Sequence, residues 1–143
     1  MGMIDASHLL VFSGSLAVFA SSLIGFAMLI PMQPWGRKWV KGLNFKQIGA
    51  AHLDWIMLGL MQGLAAGLII LFSIAPPAWS VWAMIIGGWL NPLAYVFRAF
   101  GVDAFSFAGK PLQRAAAALG GVTSVFIAAA WMVFLVSAWD SWP

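Results

Sequence analysis

From Ile48 to Ala75 the chain is one apolar run whose only ionisable side chains are His52 and Asp54. A helix rises ~1.5 Å per residue and the hydrocarbon core of a bilayer is ~30 Å thick, so about twenty such residues suffice to cross it. A run of this length leaves few folds open. Three more runs of the same kind lie at about 7–30, 79–100 and 112–139, separated by Pro31 and Pro34, by Pro76-Pro77, and by a Gly/Phe/Lys stretch. Composition supports the same reading. The chain is 63% hydrophobic and 8% charged, against about a quarter charged in a soluble domain. The predicted fold is all-α: an integral membrane four-helix bundle forming a single domain over residues 1–143, with Ser7 capping the first helix.

The charges set the expected topology. Arg37, Lys38, Lys41 and Lys46 lie between the first two helices, and Arg98, Lys110 and Arg114 flank the connection between the third and fourth. The turn between helices two and three and both chain ends carry no Lys or Arg. By the positive-inside rule, loops 31–47 and 101–114 face the cytoplasm, and the expected location is the bacterial inner membrane. Trp35, Trp39, Trp79, Trp82, Trp139 and Trp142 fall at helix ends, where indoles favour the headgroup layer. The net charge of +3 therefore reports topology, and the aromatic spacing is not that of a nucleic-acid binder. With no Cys, disulfides and thiolate metal sites are excluded. The N-terminus lacks the basic n-region of a secretory signal, so its apolar run is expected to remain as the first helix.

Ionisable groups at membrane depth are costly and mark function by default. His52 is placed about one turn inside the second helix. At 100° per residue Gly59, Gly63 and Gly67 fall within ~60° of it. Small residues at that spacing let another helix approach, and they leave room for a flat group beside the imidazole. A neutral imidazole is also a common metal ligand and holds haem iron in many proteins. Asp54 lies ~200° away; it either pairs with Arg98 or a loop Lys, or orients substrate and moves a proton. In the third helix Gly88, Asn91, Tyr95 and Arg98 share one stripe, beside the kink expected at Pro92. Tyr95 is the only tyrosine, and its hydroxyl wants a partner in lipid. His52 and Tyr95 are expected ~6–8 Å inside the same face, where one ligand would touch both. His8 starts the first helix ~25 Å away by the same arithmetic and is read as interfacial.

Three segments together resemble the styrene oxide isomerases and hydroxylaminobenzene mutases, small four-helix membrane isomerases. They are Ser7-His8-Leu9-Leu10 with Phe12 and Gly14, Ala51-His52 followed by Gly59, and Gly88-Trp89-x-Asn91-x-x-x-Tyr95. The resemblance implies a homotrimer that binds haem b at subunit interfaces, with His52 as the metal ligand and Gly59 and Gly63 beside the cofactor. It implies that Tyr95 and Asn91 face the substrate, a small hydrophobic molecule reaching the site from the lipid bilayer. Ferric haem in that family acts as a Lewis acid on an aryl epoxide, and a 1,2-hydride shift gives an aldehyde. The chain departs from the family at two polar positions, where it carries Leu58 and Gly87. Its Ala51-His52-Leu53-Asp54 matches the mutase branch, which makes Asp54 a catalytic candidate too. The alternatives are a mutase transferring a hydroxyl within an arylhydroxylamine, and a non-catalytic haem-binding anchor or assembly subunit.

Overall fold

The structure is a computed structural model that describes residues 3–142, with side chains from residue 5 onward. The described residues are helical and contain no strand. Five helices make four spans: α1 (Met3–Ala27), α2 (Phe45–Leu71), α3 (Ala78–Leu90) with α4 (Leu93–Ala99), and α5 (Pro111–Asp140). All four spans are long and apolar enough to cross a membrane, and the chain is a four-helix membrane bundle.

Helix ends follow local chemistry more than proline position. α1 already runs from Met3, so Ser7, expected as its cap, is a buried residue inside the helix. Its other end tightens where Leu29 N–H donates to Phe26 O, and Pro31 sits in a short 3₁₀ turn, Ile30–Met32. α2 starts at Phe45, earlier than expected, because Asn44 Oδ1 accepts from Lys46 N–H at 3.1 Å as an N-cap. It stops at Leu71, before Pro76, through a Schellman turn. There Ser73 takes φ +51°, Ser73 N–H donates to Ile70 O, and Ile74 N–H reaches back to Ile69 O. α4 ends in the same way around Gly101 (φ +83°), with Val102 N–H on Phe97 O.

The third span loses helical hydrogen bonding at Pro92, where the kink was expected, although Asn91 and Pro92 keep right-handed helical backbone angles. Asn91 N–H still donates to Gly87 O, but Pro92 has no N–H to offer the Gly88 carbonyl, so α3 ends and α4 restarts from Pro92 O.

Every span contributes to one core: Leu10 from α1, Ile69 from α2, Met84 from α3 and Phe134 from α5 are fully buried. Large apolar residues such as Phe12, Phe19, Leu64 and Leu135 point outward. In lipid that outward surface costs nothing, and association depends instead on close contact between small residues. Gly14 and Gly59 supply it for α1 and α2: a Cβ on Gly59 would lie 2.7 Å from the Gly14 carbonyl oxygen. Gly87 supplies it for α3 and α5, where a Cβ would meet Ile127 Cγ1 at 2.7 Å. The two basic connections lie at the same end of the bundle, tied by Asn44 N–H donating to Ala99 O at 3.0 Å.

Candidate functional site

His52 faces α1. Its Nδ1 lies 2.8 Å from Ser21 O and 2.7 Å from Ser21 Oγ, while Ser21 Oγ–H donates to His52 O at 2.6 Å. A carbonyl only accepts, so the ring proton belongs on Nδ1, and the hydroxyl proton is used on the His52 carbonyl. Nε2 then carries the lone pair of the neutral ring, with no protein partner among the described residues. Gly25 makes the seat: a Cβ there would come within 3.1 Å of His52 Cε1. This is how ligating imidazoles are held elsewhere, one nitrogen on a backbone carbonyl and the other presented.

No group of three or more His, Cys, Asp or Glu is poised to hold a metal ion among the described residues. A lone imidazole fits a metal that brings its own equatorial ligands, as haem does, better than a bare ion. Along the same two helices runs an apolar trough of about 1040 Å³. It begins at Ser22, next to Ser21, and at Met57, about a turn and a half beyond His52. Gly63 and Gly67 line it, and a Cβ on either would meet nothing within 4 Å. Of the three glycines expected beside His52, Gly59 lines the trough but is also pressed onto α1, and the other two open onto free space. Neither His52 nor Ser21 is among the walls of the trough, so it is a flat apolar space near the imidazole along the same helix pair and not a pocket around it.

Asp54 looks the other way. The expected pair with Arg98 does not form: the Arg98 guanidinium stacks 4.6 Å from the Phe105 ring centroid, and Asp54 Oδ2 is buried without a hydrogen-bond partner. Next to it Trp55 Nε1–H donates to Trp89 O, and Trp89 Nε1–H donates to Ser13 Oγ, linking α2, α3 and α1.

The residues of the stripe expected on the third span meet different neighbours. Gly88 faces α2, against Gln62 and Leu58. Asn91 faces α5, its Nδ2 donating to Ser124 Oγ at 2.8 Å and Thr123 Oγ1 at 3.1 Å. Tyr95 meets Phe105 edge-on, with centroids 5.3 Å apart. Asn91 and Tyr95 do come together, in a cleft of about 290 Å³ between α4, α5 and the 101–110 connection. His52 is not among its walls. A single ligand touching His52 and Tyr95, as expected from depth, is therefore not accommodated within one protomer's cleft. The reasons are that the two side chains face different helices and that α2 begins earlier, which sets His52 about two turns inside.

His8 is exposed on α1 beside Asp5, Leu9 and Phe12. Thirteen residues separate it from Ser21, or ~20 Å along the helix, so it lies far from His52. The two departures noted at Leu58 and Gly87 also have structural reasons: Leu58 is core, and α5 lies too close to Gly87 for a side chain.

Several participants escape sequence reasoning. Ser21 and Gly25 are one helical turn apart in α1, a polar and a small residue placed to seat an intramembrane His, and that spacing was the available signal. Gln62 is fully buried with both amide atoms unpartnered; an amide in an apolar helix was its signal. Phe105 and Phe107 belong to a loop, and only tertiary contact places them on the cleft.

No family model, curated protein or solved structure matches the chain.

Proposed function

We propose that this protein is a membrane-embedded, haem-dependent isomerase that rearranges a small aryl epoxide to an aldehyde without net redox change. One observation carries the reading: His52 Nδ1–H donates to the Ser21 carbonyl and leaves Nε2 without a protein partner among the described residues, with an apolar trough beginning at Met57, about a turn and a half further along the same helix pair. Haem b, when bound, supplies an electrophilic iron for an oxygen lone pair. His52 would be its ligand, Ser21 and Gly25 hold the imidazole in register, Gly63 would leave space for the ring system, and Gly59, pressed onto α1, would lie at its edge. Tyr95 and Asn91 face the substrate; the phenol orients its oxygen, and the Asn91 bonds to α5 hold that wall in place. The apolar surroundings keep water from capturing an electron-poor carbon as a diol. Because His52 and Tyr95 lie on different faces of one protomer, the complete site forms where copies meet, in a homotrimer by resemblance. The loops 31–47 and 101–114 face the cytoplasm of a bacterial inner membrane.

The test is an absorption spectrum of the detergent-purified protein, followed by product analysis with styrene oxide and no added reductant. The expected result is a Soret band that is lost in His52→Ala while the helical fold remains. A preparation that stays colourless after growth with added haem overturns the reading. Asp54 favours one second reading, hydroxyl transfer within an arylhydroxylamine, since its unpartnered Oδ2 can take a proton from a substrate nitrogen or oxygen. Conversion of phenylhydroxylamine to an aminophenol, with styrene oxide untouched, would select it.

A further inference from the structure

α2 and α5 end side by side at the pole of the bundle away from the basic connections. Their C-caps, Phe72 and Ser141, line one cavity of about 350 Å³ together with Leu71, Ser73 and Trp142. Trp142 packs on Phe72 with ring centroids 5.4 Å apart, and with Trp139 it walls a second cavity of about 380 Å³. The local charges favour a cation. Both helices present the negative ends of their dipoles where they stop. Ser141 Oγ–H donates to Ser137 O at 2.8 Å, which leaves the hydroxyl oxygen to accept. Asp140 adds an exposed carboxylate, and the segments at this pole, 1–9, 72–79 and 136–143, contain no Lys or Arg to neutralise it. Indole faces attract ammonium groups as well.

We propose that this pole docks the ammonium headgroup of a zwitterionic phospholipid, held on Trp142 where α2 and α5 end. The indole and the Ser141 oxygen meet the ammonium group, and Asp140 supplies the opposite charge. The occupant is a lipid because of where the cavities open. Trp139 and Trp142 are exposed, at helix-end positions where indoles meet headgroups. Met132, Leu135 and Trp139, at i, i+3 and i+7 on α5, are all exposed and share one outward stripe. An acyl chain attached to the headgroup therefore has an apolar bed leading to the site. The indoles of the other pole are set differently: Trp35 and Trp39 stand among Arg37, Lys38 and Lys41, which repel an ammonium group. The site goes beyond the proposed function and needs neither His52 nor a cofactor.

The experiment is native mass spectrometry of the detergent-purified protein titrated with dioleoyl phosphatidylethanolamine or with dioleoyl phosphatidylglycerol. Trp142→Ala and Asp140→Asn are each expected to weaken binding of the ethanolamine lipid about two- to fivefold, the range of an exposed cation–π contact or ion pair. Binding of the glycerol lipid, which the basic pole attracts, should not change. Trp39→Ala removes a comparably exposed indole at that other pole and should leave binding of the ethanolamine lipid as in the wild type. Circular dichroism checks that the helices are kept; if Trp142→Ala loses them, Asp140→Asn decides alone. Equal losses in Trp142→Ala and Trp39→Ala would reduce the site to a general aromatic belt and overturn the proposal. So would parallel losses of both lipids, or no loss of either. Displacement of the ethanolamine lipid by millimolar ethylammonium chloride would make a free amine the occupant and overturn the lipid assignment.

Discussion

Ser21 and Gly25 decide what His52 can do. The carbonyl and hydroxyl of Ser21 hold Nδ1 and the His52 backbone, and Gly25 gives the ring a flat bed. Gly25→Val would push side-chain carbon into the imidazole and is expected to abolish cofactor binding with the helix content unchanged. Ser21→Ala keeps the carbonyl but loses the hydroxyl, and cofactor affinity should drop ~10-fold, the low end of the effect of supporting hydrogen bonds. Haem titration followed by absorbance measures both, and unaltered affinity in Gly25→Val would remove the ring from the site. Asp54 belongs to the same scale. An unpartnered carboxylate oxygen inside a membrane span is kept at a cost in stability. Asp54→Asn should therefore resist unfolding by SDS better than the wild type while turnover falls. Greater stability with undiminished turnover would take Asp54 out of the mechanism.

Among the elements, two left-handed turns set where helices stop. Ser73 and Gly101 occupy the same place in Schellman turns after α2 and α4, with φ of +51° and +83°. Only one of them is a glycine. A side chain in that conformation costs about 1–2 kcal/mol, so Ser73→Gly should stabilise the protein by ~1 kcal/mol and Gly101→Val should destabilise it by at least as much. Steric-trap or SDS unfolding measures both, and equal stability of Ser73→Gly and wild type would mean that the turn relaxes. The break at Pro92 acts at this scale too. Asn91, the last residue before it, bonds to α5, and Tyr95, one turn on, meets Phe105, so the two share one cleft across the missing amide.

Across the whole molecule, the basic connections lie at one end, joined by the bond from Asn44 N–H to Ala99 O. The chain has no cysteine, so Lys41→Cys and Ser106→Cys can each be labelled alone in intact cells and in inverted vesicles. Both are expected to react with a membrane-impermeant maleimide only in inverted vesicles. Reaction of the two from opposite sides would contradict the four-span arrangement, and reaction of both in intact cells would reverse the orientation. The long apolar trough between α1 and α2 also belongs to this scale: it is open along Gly63 and Gly67 in a single protomer, where a flat group or a neighbouring copy can lie against backbone.

Four spans, their rough limits and the ionisable pair in the second were legible from the chain because they depend on runs of residue type. A bilayer filters for length and apolarity, and both are written linearly. His52 was legible as a candidate for the same reason, since an imidazole at that depth is conspicuous in any sequence. Its partners were not. Ser21 lies thirty-one residues away in the chain, and only its spacing to Gly25 sets it apart from α1's other serines. The helix ends moved because capping by Asn44 and the turns at Ser73 and Gly101 depend on backbone hydrogen bonds, which composition does not encode. Of the stripe through Gly88, Asn91, Tyr95 and Arg98, Asn91 and Tyr95 do line one cleft while Gly88 packs on α2, and the helix period does not say which neighbour each residue meets. Which faces meet was decided only by tertiary packing: in lipid, apolar surface gains nothing by turning inward, so the choice fell to close backbone contacts at Gly14, Gly59 and Gly87.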